Sequence, residues 1–196
     1  MEGIPIQPLI LASASPRRLE ICALAGIPVE VHPASLEWPL PTDRPLPEGV
    51  LWVARQKAEE VFAQFPDRVV IGSDTVVALE DEVLGKPKNE ADAFRMLQQL
   101  QGKTHTVYTA VWVASPQGAD GFTDQTLVTF FSLTEQEIAA YIRSGEPMDK
   151  AGSYGIQGAG MRFVKEIHGD YYTVMGLPGG KLRRFLQQPP FCLTLP

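Results

Sequence analysis

Apolar residues in this chain alternate between two rhythms. Residues 8–13 are a short continuous apolar run, which predicts a buried strand. Pro16 suits the first turn of a helix, where its missing N–H is not needed. Leu19, Ile21, Cys22, Leu24 and Ala25 then give that helix an apolar face, and Gly26 stops it. "IPVEVHP" predicts a second strand. Five prolines between Pro33 and Pro47 make the next stretch a stiff loop rather than an element.

Beyond the loop, Leu51, Ala54, Ala58, Val61, Phe62 and Phe65 recur at helical spacing, with Lys57 at the border of their stripe. "VVIGSDTVVALEDEVL" reads as a core strand passing through Asp74 into a hairpin at Glu80–Glu82. Asn89 caps a helix carrying Ala93, Met96, Leu97 and Leu100, which ends at Gly102. Strands at 104–114 and 122–132 are joined by the turn-rich "SPQGADG". Thr134 and Glu137 have the spacing of a capping box. "RFVKEIHGDYYTVMGLP" reads as a second hairpin, turning at His168–Asp170. Pro178 opens a last helix, and residues 189–196 are a tail. Early alternation of strands and helices, then paired strands, predicts an α/β fold with a mixed, twisted sheet and flanking helices, in two lobes around a deep cleft. No repeat or linker divides the chain, so residues 1–196 read as one domain.

Composition narrows the function. A formal net charge of −6 and a pI near 5.1 disfavour a broad nucleic-acid surface, though not a local basic pocket. Two cysteines without framework spacing point to a reducing compartment, and Cys22 falls on a helix face as a core residue. The N-terminal segment has no basic leader, only Glu2, and no apolar stretch reaches membrane-spanning length. A cytoplasmic protein is expected.

"SASPRR" carries the first chemical signal. A helix start offers orphan N–H groups to an anion, Ser13 and Ser15 add hydroxyls, and Arg17 and Arg18 add forks that match phosphate oxygens. Two cations there oppose the helix dipole by about 0.3–1 kcal/mol each; a bound phosphate would offset that, and two solvated arginines are the competing reading. Asp74 interrupts an apolar strand, where a carboxylate needs a partner or a metal. It suits a base that deprotonates water beside a divalent ion, or else a satisfied structural acid. Glu37, in the proline-rich loop, is a second metal candidate or a surface acid. Lys57 and Lys86 could neutralise a triphosphate with the arginines, or be solvated singly. "DKAGSYGIQGAG" has four glycines in twelve residues; it suggests backbone close to a ligand, with the Gln157 amide able to read a base edge, or an irregular connection.

"LASASPRR", "ARQKAEEV", "IGSDTVV", "LGKPKNEADAFRMLQQLQGKTHTVYTAV", "DKAGSYGIQG" and "MGLP" together resemble the Maf family of nucleoside triphosphate pyrophosphatases, in order and over nearly the whole chain. Glutamine in "YGIQG" resembles the subgroup acting on dTTP and UTP; a sister subgroup, acting on 7-methyl-GTP, has glutamate there. The resemblance implies hydrolysis between the α and β phosphates. It makes Asp74 the proton acceptor, associates Arg17, Thr75 and Gln157 with base selection, and matches Arg18, Lys57 and Lys86 to phosphate-binding cations. It further implies a divalent cofactor such as Mg²⁺ or Mn²⁺, a fold related to inosine triphosphate pyrophosphatases, and a homodimer. The family commonly has two adjacent acids after its second strand; here Glu37 is followed by Trp38. The alternatives are the same chemistry on 7-methyl-GTP or another purine, and a non-catalytic nucleotide-binding regulator of septum formation.

Overall fold

In a computed structural model, which describes residues 7–196, the first apolar run becomes β1 (Leu9–Leu11), buried at all three positions. The N-terminal segment read above for a leader lies outside the described residues. Strands β2 (Val29–Val31) and β3 (Val70–Leu79) flank β1, both parallel to it. A parallel strand covered on both faces reads as continuous apolar sequence, which is why "LIL", buried at every position, shows no alternation. Helix α1 (Pro16–Leu24) links β1 to β2, and α2 (Leu46–Phe62) precedes β3. β4 (Glu82–Leu84) returns antiparallel on β3, with Val77 opposite Leu84.

Helix α3 (Glu90–Leu100) begins as expected: the Asn89 side chain accepts the Asp92 N–H at 2.9 Å. Strands β5 (Thr104–Ser115) and β6 (Gly118–Phe130) follow, then α4 (Glu135–Ile142), whose Thr134–Glu137 capping box is complete. Three short 3-10 turns, Glu146–Asp149, Ala151–Ser153 and Gly158–Phe163, lead to β7 (Val164–His168), which pairs antiparallel with β6. Helices α5 (Tyr171–Met175) and α6 (Gly179–Leu186) close the chain. The seven-stranded mixed sheet has the order β2-β1-β3-β5-β6-β7, with β4 also on β3.

The chain falls into two compact units. One runs through Asp74 and adds Thr109–Asp124 and Gly176–Pro196; the other is Thr75–Tyr108 with Gln125–Met175. In the first, Ile10, Ala12, Ala58, Val61 and Val70 form a core cluster. In the second, α3, α4 and the strands enclose Leu84, Leu97, Leu100, Val128, Phe130 and Ile138. Each fully buried leucine contributes about 1.5–3 kcal/mol to that core.

Several local expectations are corrected. Leu19 and Leu24 on α1 are solvent-exposed, and Ile21 and Cys22 alone are buried there. Most of "SPQGADG" belongs to β6, because the Ser115 hydroxyl closes a tight turn by accepting the Gln117 N–H and donating to the Gly118 carbonyl. The second arm of the last hairpin is helix α5 rather than a strand. Asp170 starts it, its carboxylate accepting the Tyr172 N–H and its carbonyl the Thr173 N–H, and this capping outweighs the strand propensity of "YYTV". The tail packs inward at Phe191 and Leu195, while Arg183 donates to the carbonyls of Leu195 and Pro196. Among the described residues no helix is long and apolar enough to cross a membrane.

Candidate active site

Asp74 stands midway along β3, and Lys57 of α2 reaches its Oδ1 at 2.5 Å; the side chains are 19% and 23% exposed. The helix turns this lysine inward. The buried stripe of α2 is Gly49, Val50, Val53, Ala54, Ala58 and Val61, and Lys57 lies about 20° from its centre at 100° per residue. It therefore sits within the stripe and not at its border as the sequence suggested. Close approach makes the pairing reachable. A Cβ on Gly72 would lie 2.3 Å from the Ala54 carbonyl oxygen and 2.7 Å from the Ala58 amide nitrogen, so α2 rests directly on the β3 backbone. Gly72 and Asp74 share a face of the strand.

The start of α1 belongs to the same unit. Pro16 occupies its first turn, and the Ser13 hydroxyl accepts the Ser15 N–H at 3.3 Å and the Arg18 Nη1–H at 3.0 Å. Arg18 Nε donates to the Gly176 carbonyl at 2.8 Å, and the Ser73 hydroxyl donates to the same oxygen at 3.2 Å. Burial pulls the Arg18 pKa down; the Asp74 carboxylate opposes this, and Arg17 adds to it. A guanidinium remains charged through such a shift. The protein's own acceptors thus hold Arg18 against the helix dipole, so the cation at this helix start does not by itself require a phosphate. Cys22, beneath it, is a core residue whose thiol burial pushes up to about 12. Gly176 is a contact of the candidate site that residue-level reading missed, since a backbone carbonyl leaves no mark beyond the "MGLP" motif.

The loop bearing Glu37 is tied to α2 by Glu60, whose carboxylate accepts the Ser35 N–H at 2.7 Å, the Ser35 hydroxyl at 2.6 Å and the Leu36 N–H at 3.3 Å. Glu37 itself is exposed, and among the described residues no hydrogen bond or ion pair joins it to Asp74. Trp38 turns its ring edge to Trp52, with centroids 5.9 Å apart.

The remaining candidates lie in the other unit. Thr75 continues β3 and is partly buried. Lys86 is exposed beside Gly85, whose carbonyl accepts the Gly152 N–H at 3.0 Å, which joins the lysine's turn to the glycine-rich segment. Gln157 is half-buried at the head of the Gly158–Phe163 turn. That segment hangs on Glu146, a residue the sequence reading passed over. Its carboxylate accepts the Tyr141 hydroxyl at 3.0 Å, the Ala159 N–H at 3.0 Å and the Gly160 N–H at 3.3 Å.

A strand carboxylate gripped by a lysine, beside an arginine at a helix start, is the kind of arrangement an α/β protein uses on a phosphate-bearing substrate. The chain belongs to the Maf family, whose model, described as Maf-like protein, matches residues 8–189. It is 49% identical over 187 residues to a dTTP/UTP pyrophosphatase of Bacillus cereus strain ATCC 10987 / NRS 248, covering 95% of this chain and 92% of the relative. It is also 49% identical to the dTTP/UTP pyrophosphatase of Bacillus pumilus strain SAFR-032, over 91% of this chain and 95% of that one. Among solved structures, the Staphylococcus aureus Ham1 protein overlaps 63% of this chain and 72% of its own, with a TM-score of 0.44 and 15% identity.

Proposed function

We propose that this protein hydrolyses dTTP and UTP between the α and β phosphates, releasing the nucleoside monophosphate and pyrophosphate. The relatives' shared name supports the substrate class, and the Lys57–Asp74 pair beside Arg18 is the observation that carries the chemistry. Lys57 engages Oδ1 of Asp74, so Oδ2 is assigned to take the proton from the attacking water. Arg18, fixed by Ser13 and Gly176, together with Lys57, Ser15 and Lys86, binds phosphate oxygens and stabilises the charge that builds on them. Arg17, Thr75 and Gln157 are assigned to the choice of base. Both cysteines are free thiols, which supports a cytoplasmic location.

The donor set also fits a divalent cation. Among the described residues no three His, Cys, Asp or Glu side chains gather into a metal cage. Mg²⁺, however, is commonly held by one or two carboxylates plus the substrate's phosphates. Asp74 and Glu37 would hold it, Asp74 from a fixed position and Glu37 from its exposed loop. When bound, such an ion would polarise phosphate oxygens and offset part of the substrate's charge.

The test is a panel of canonical and modified triphosphates with Mg²⁺, assayed separately for pyrophosphate and orthophosphate, with Asp74→Asn as control. Pyrophosphate from dTTP and UTP, lost in the variant, is the expected result. Orthophosphate as the product, or no turnover of either nucleotide, would sink the proposal.

A further inference from the structure

Gln157 heads the Gly158–Phe163 turn, yet its side chain makes no capping hydrogen bond there. Ser, Thr, Asp or Asn at that position would turn its own side chain onto the N–H groups that the turn leaves unpaired, which Gln157 does not. Here a carboxylate eleven positions earlier does so instead: Glu146 takes the Ala159 N–H on Oε2 and the Gly160 N–H on Oε1. Gly158 makes room for it. Its φ is +71°, and a Cβ there would lie 2.9 Å from Glu146 Oε2, so a side chain would be strained and would collide with the cap.

Two further residues hold the same segment. The Tyr141 hydroxyl donates to Glu146 Oε1 and accepts the Gly155 N–H at 3.0 Å, which fixes the stretch before Gln157 as Glu146 fixes the stretch after it. Burial pushes the Tyr141 phenol up, so it keeps its proton for that bond. Lys150 donates to the Glu146 carbonyl at 2.5 Å and lays its stem where a Cβ of Gly155 would be.

We propose that Glu146 is a positioning residue for base selection: by capping the Gly158–Phe163 turn in place of Gln157, it leaves the Gln157 amide to the nucleobase and fixes where that amide stands. The inference rests on Gln157 reading the base, as assigned above. Glu146 touches no substrate. Its effect is felt through the Gln157 backbone and is confined to discrimination between bases.

The experiment compares kcat and KM for dTTP, UTP and CTP in wild type, Gln157→Ala, Glu146→Gln and the double variant. The amide introduced by Glu146→Gln would aim a donor at a backbone N–H, and losing a charge-assisted bond of this kind corresponds to about a tenfold effect or more. Glu146→Gln is expected to lower kcat/KM for dTTP and UTP by about that factor, mainly through KM, and to narrow the preference over CTP. In the Gln157→Ala background the same change should add little. Tyr141→Phe, which keeps the carboxylate and loses the bonds to Glu146 and to the Gly155 N–H, should move the preference the same way, and serves if Glu146→Gln does not fold. Equal losses on all three nucleotides, or losses that add to those of Gln157→Ala, overturn the role. An unchanged preference in Gln157→Ala overturns the base reading along with it. A changed preference there, with none in Glu146→Gln or Tyr141→Phe, overturns this inference alone.

Discussion

The region around Asp74 and the region around Gln157 reach definition by opposite means. Asp74, Lys57 and Arg18 stand on a strand and two helices, so their placement follows from regular backbone and one close approach at Gly72. Gln157 stands on irregular chain, and side-chain bonds from Glu146, Tyr141 and Lys150 hold that chain in shape. The residues assigned to chemistry common to every nucleoside triphosphate, Asp74, Lys57 and Arg18, thus stand on stiff elements. Gln157, assigned to the base, stands where a few substitutions can reshape the backbone without disturbing a sheet. The assigned division of labour follows the division in construction at Asp74 and Gln157, while Arg17 and Thr75, also assigned to the base, stand on α1 and β3.

That contrast can be broken at several points. The largest expected effect is on rate: Asp74→Asn should lower kcat by about 10²–10⁴-fold, the range for loss of a general base, with little change in melting temperature. A comparable melting loss would make Asp74 a structural acid. Gly72→Ala should cost about 3 kcal/mol, the upper end for overpacking, because the neighbours it strikes are backbone atoms that cannot turn aside. Urea unfolding measures this, and a value below about 1 kcal/mol would remove Gly72 as the reason Lys57 reaches Asp74.

The second unit supplies the acid-sensitive element. Burial depresses the His105 pKa to about 4 from an ordinary 6.5, and its Nε2 lies 2.8 Å from the buried Tyr154 hydroxyl. The unfolded chain therefore binds a proton at a higher pH than the folded one. Stability from this group is fully present above about pH 6.5, falls between about 6.5 and 4, and levels off below, for a total of roughly 3 kcal/mol. Thermal melts over that interval should show the slope in wild type and a smaller one in His105→Phe. Smallest is the helix cap: Asn89→Ala should cost about 1 kcal/mol and leave the kinetics alone, as it serves α3 and neither region.

The same contrast explains what could be read from sequence. Periodicity and caps located α2, α3 and α4, because local hydrogen bonding and one buried face determine such elements. The candidate residues Ser13, Arg18, Lys57 and Asp74 were legible as charges and hydroxyls out of place in their elements. Helix α5 was missed because one Asp170 cap outweighed four residues of strand propensity. Leu19 and Leu24 looked like core since periodicity gives a face its direction but not its width. Gly176 and Glu146 were invisible for another reason. One acts through a carbonyl that any residue carries, the other through a bond to chain that has no period, and neither has a local signature.

The Gly176 carbonyl has one more consequence, for the order of events during synthesis. Arg18 and the carbonyl that fixes it are 158 positions apart in the chain, so the bond closes only when nearly all of the protein is available to fold. The residues of β1, α1, α2 and β3, Lys57 and Asp74 among them, all leave the ribosome long before residue 176. Until then Arg18 has the nearby Ser13 hydroxyl but not the Gly176 carbonyl. Completion of the Arg18 contacts is thereby timed to the end of translation, and a chain released early would carry the Lys57–Asp74 pair without the Arg18–Gly176 bond beside it.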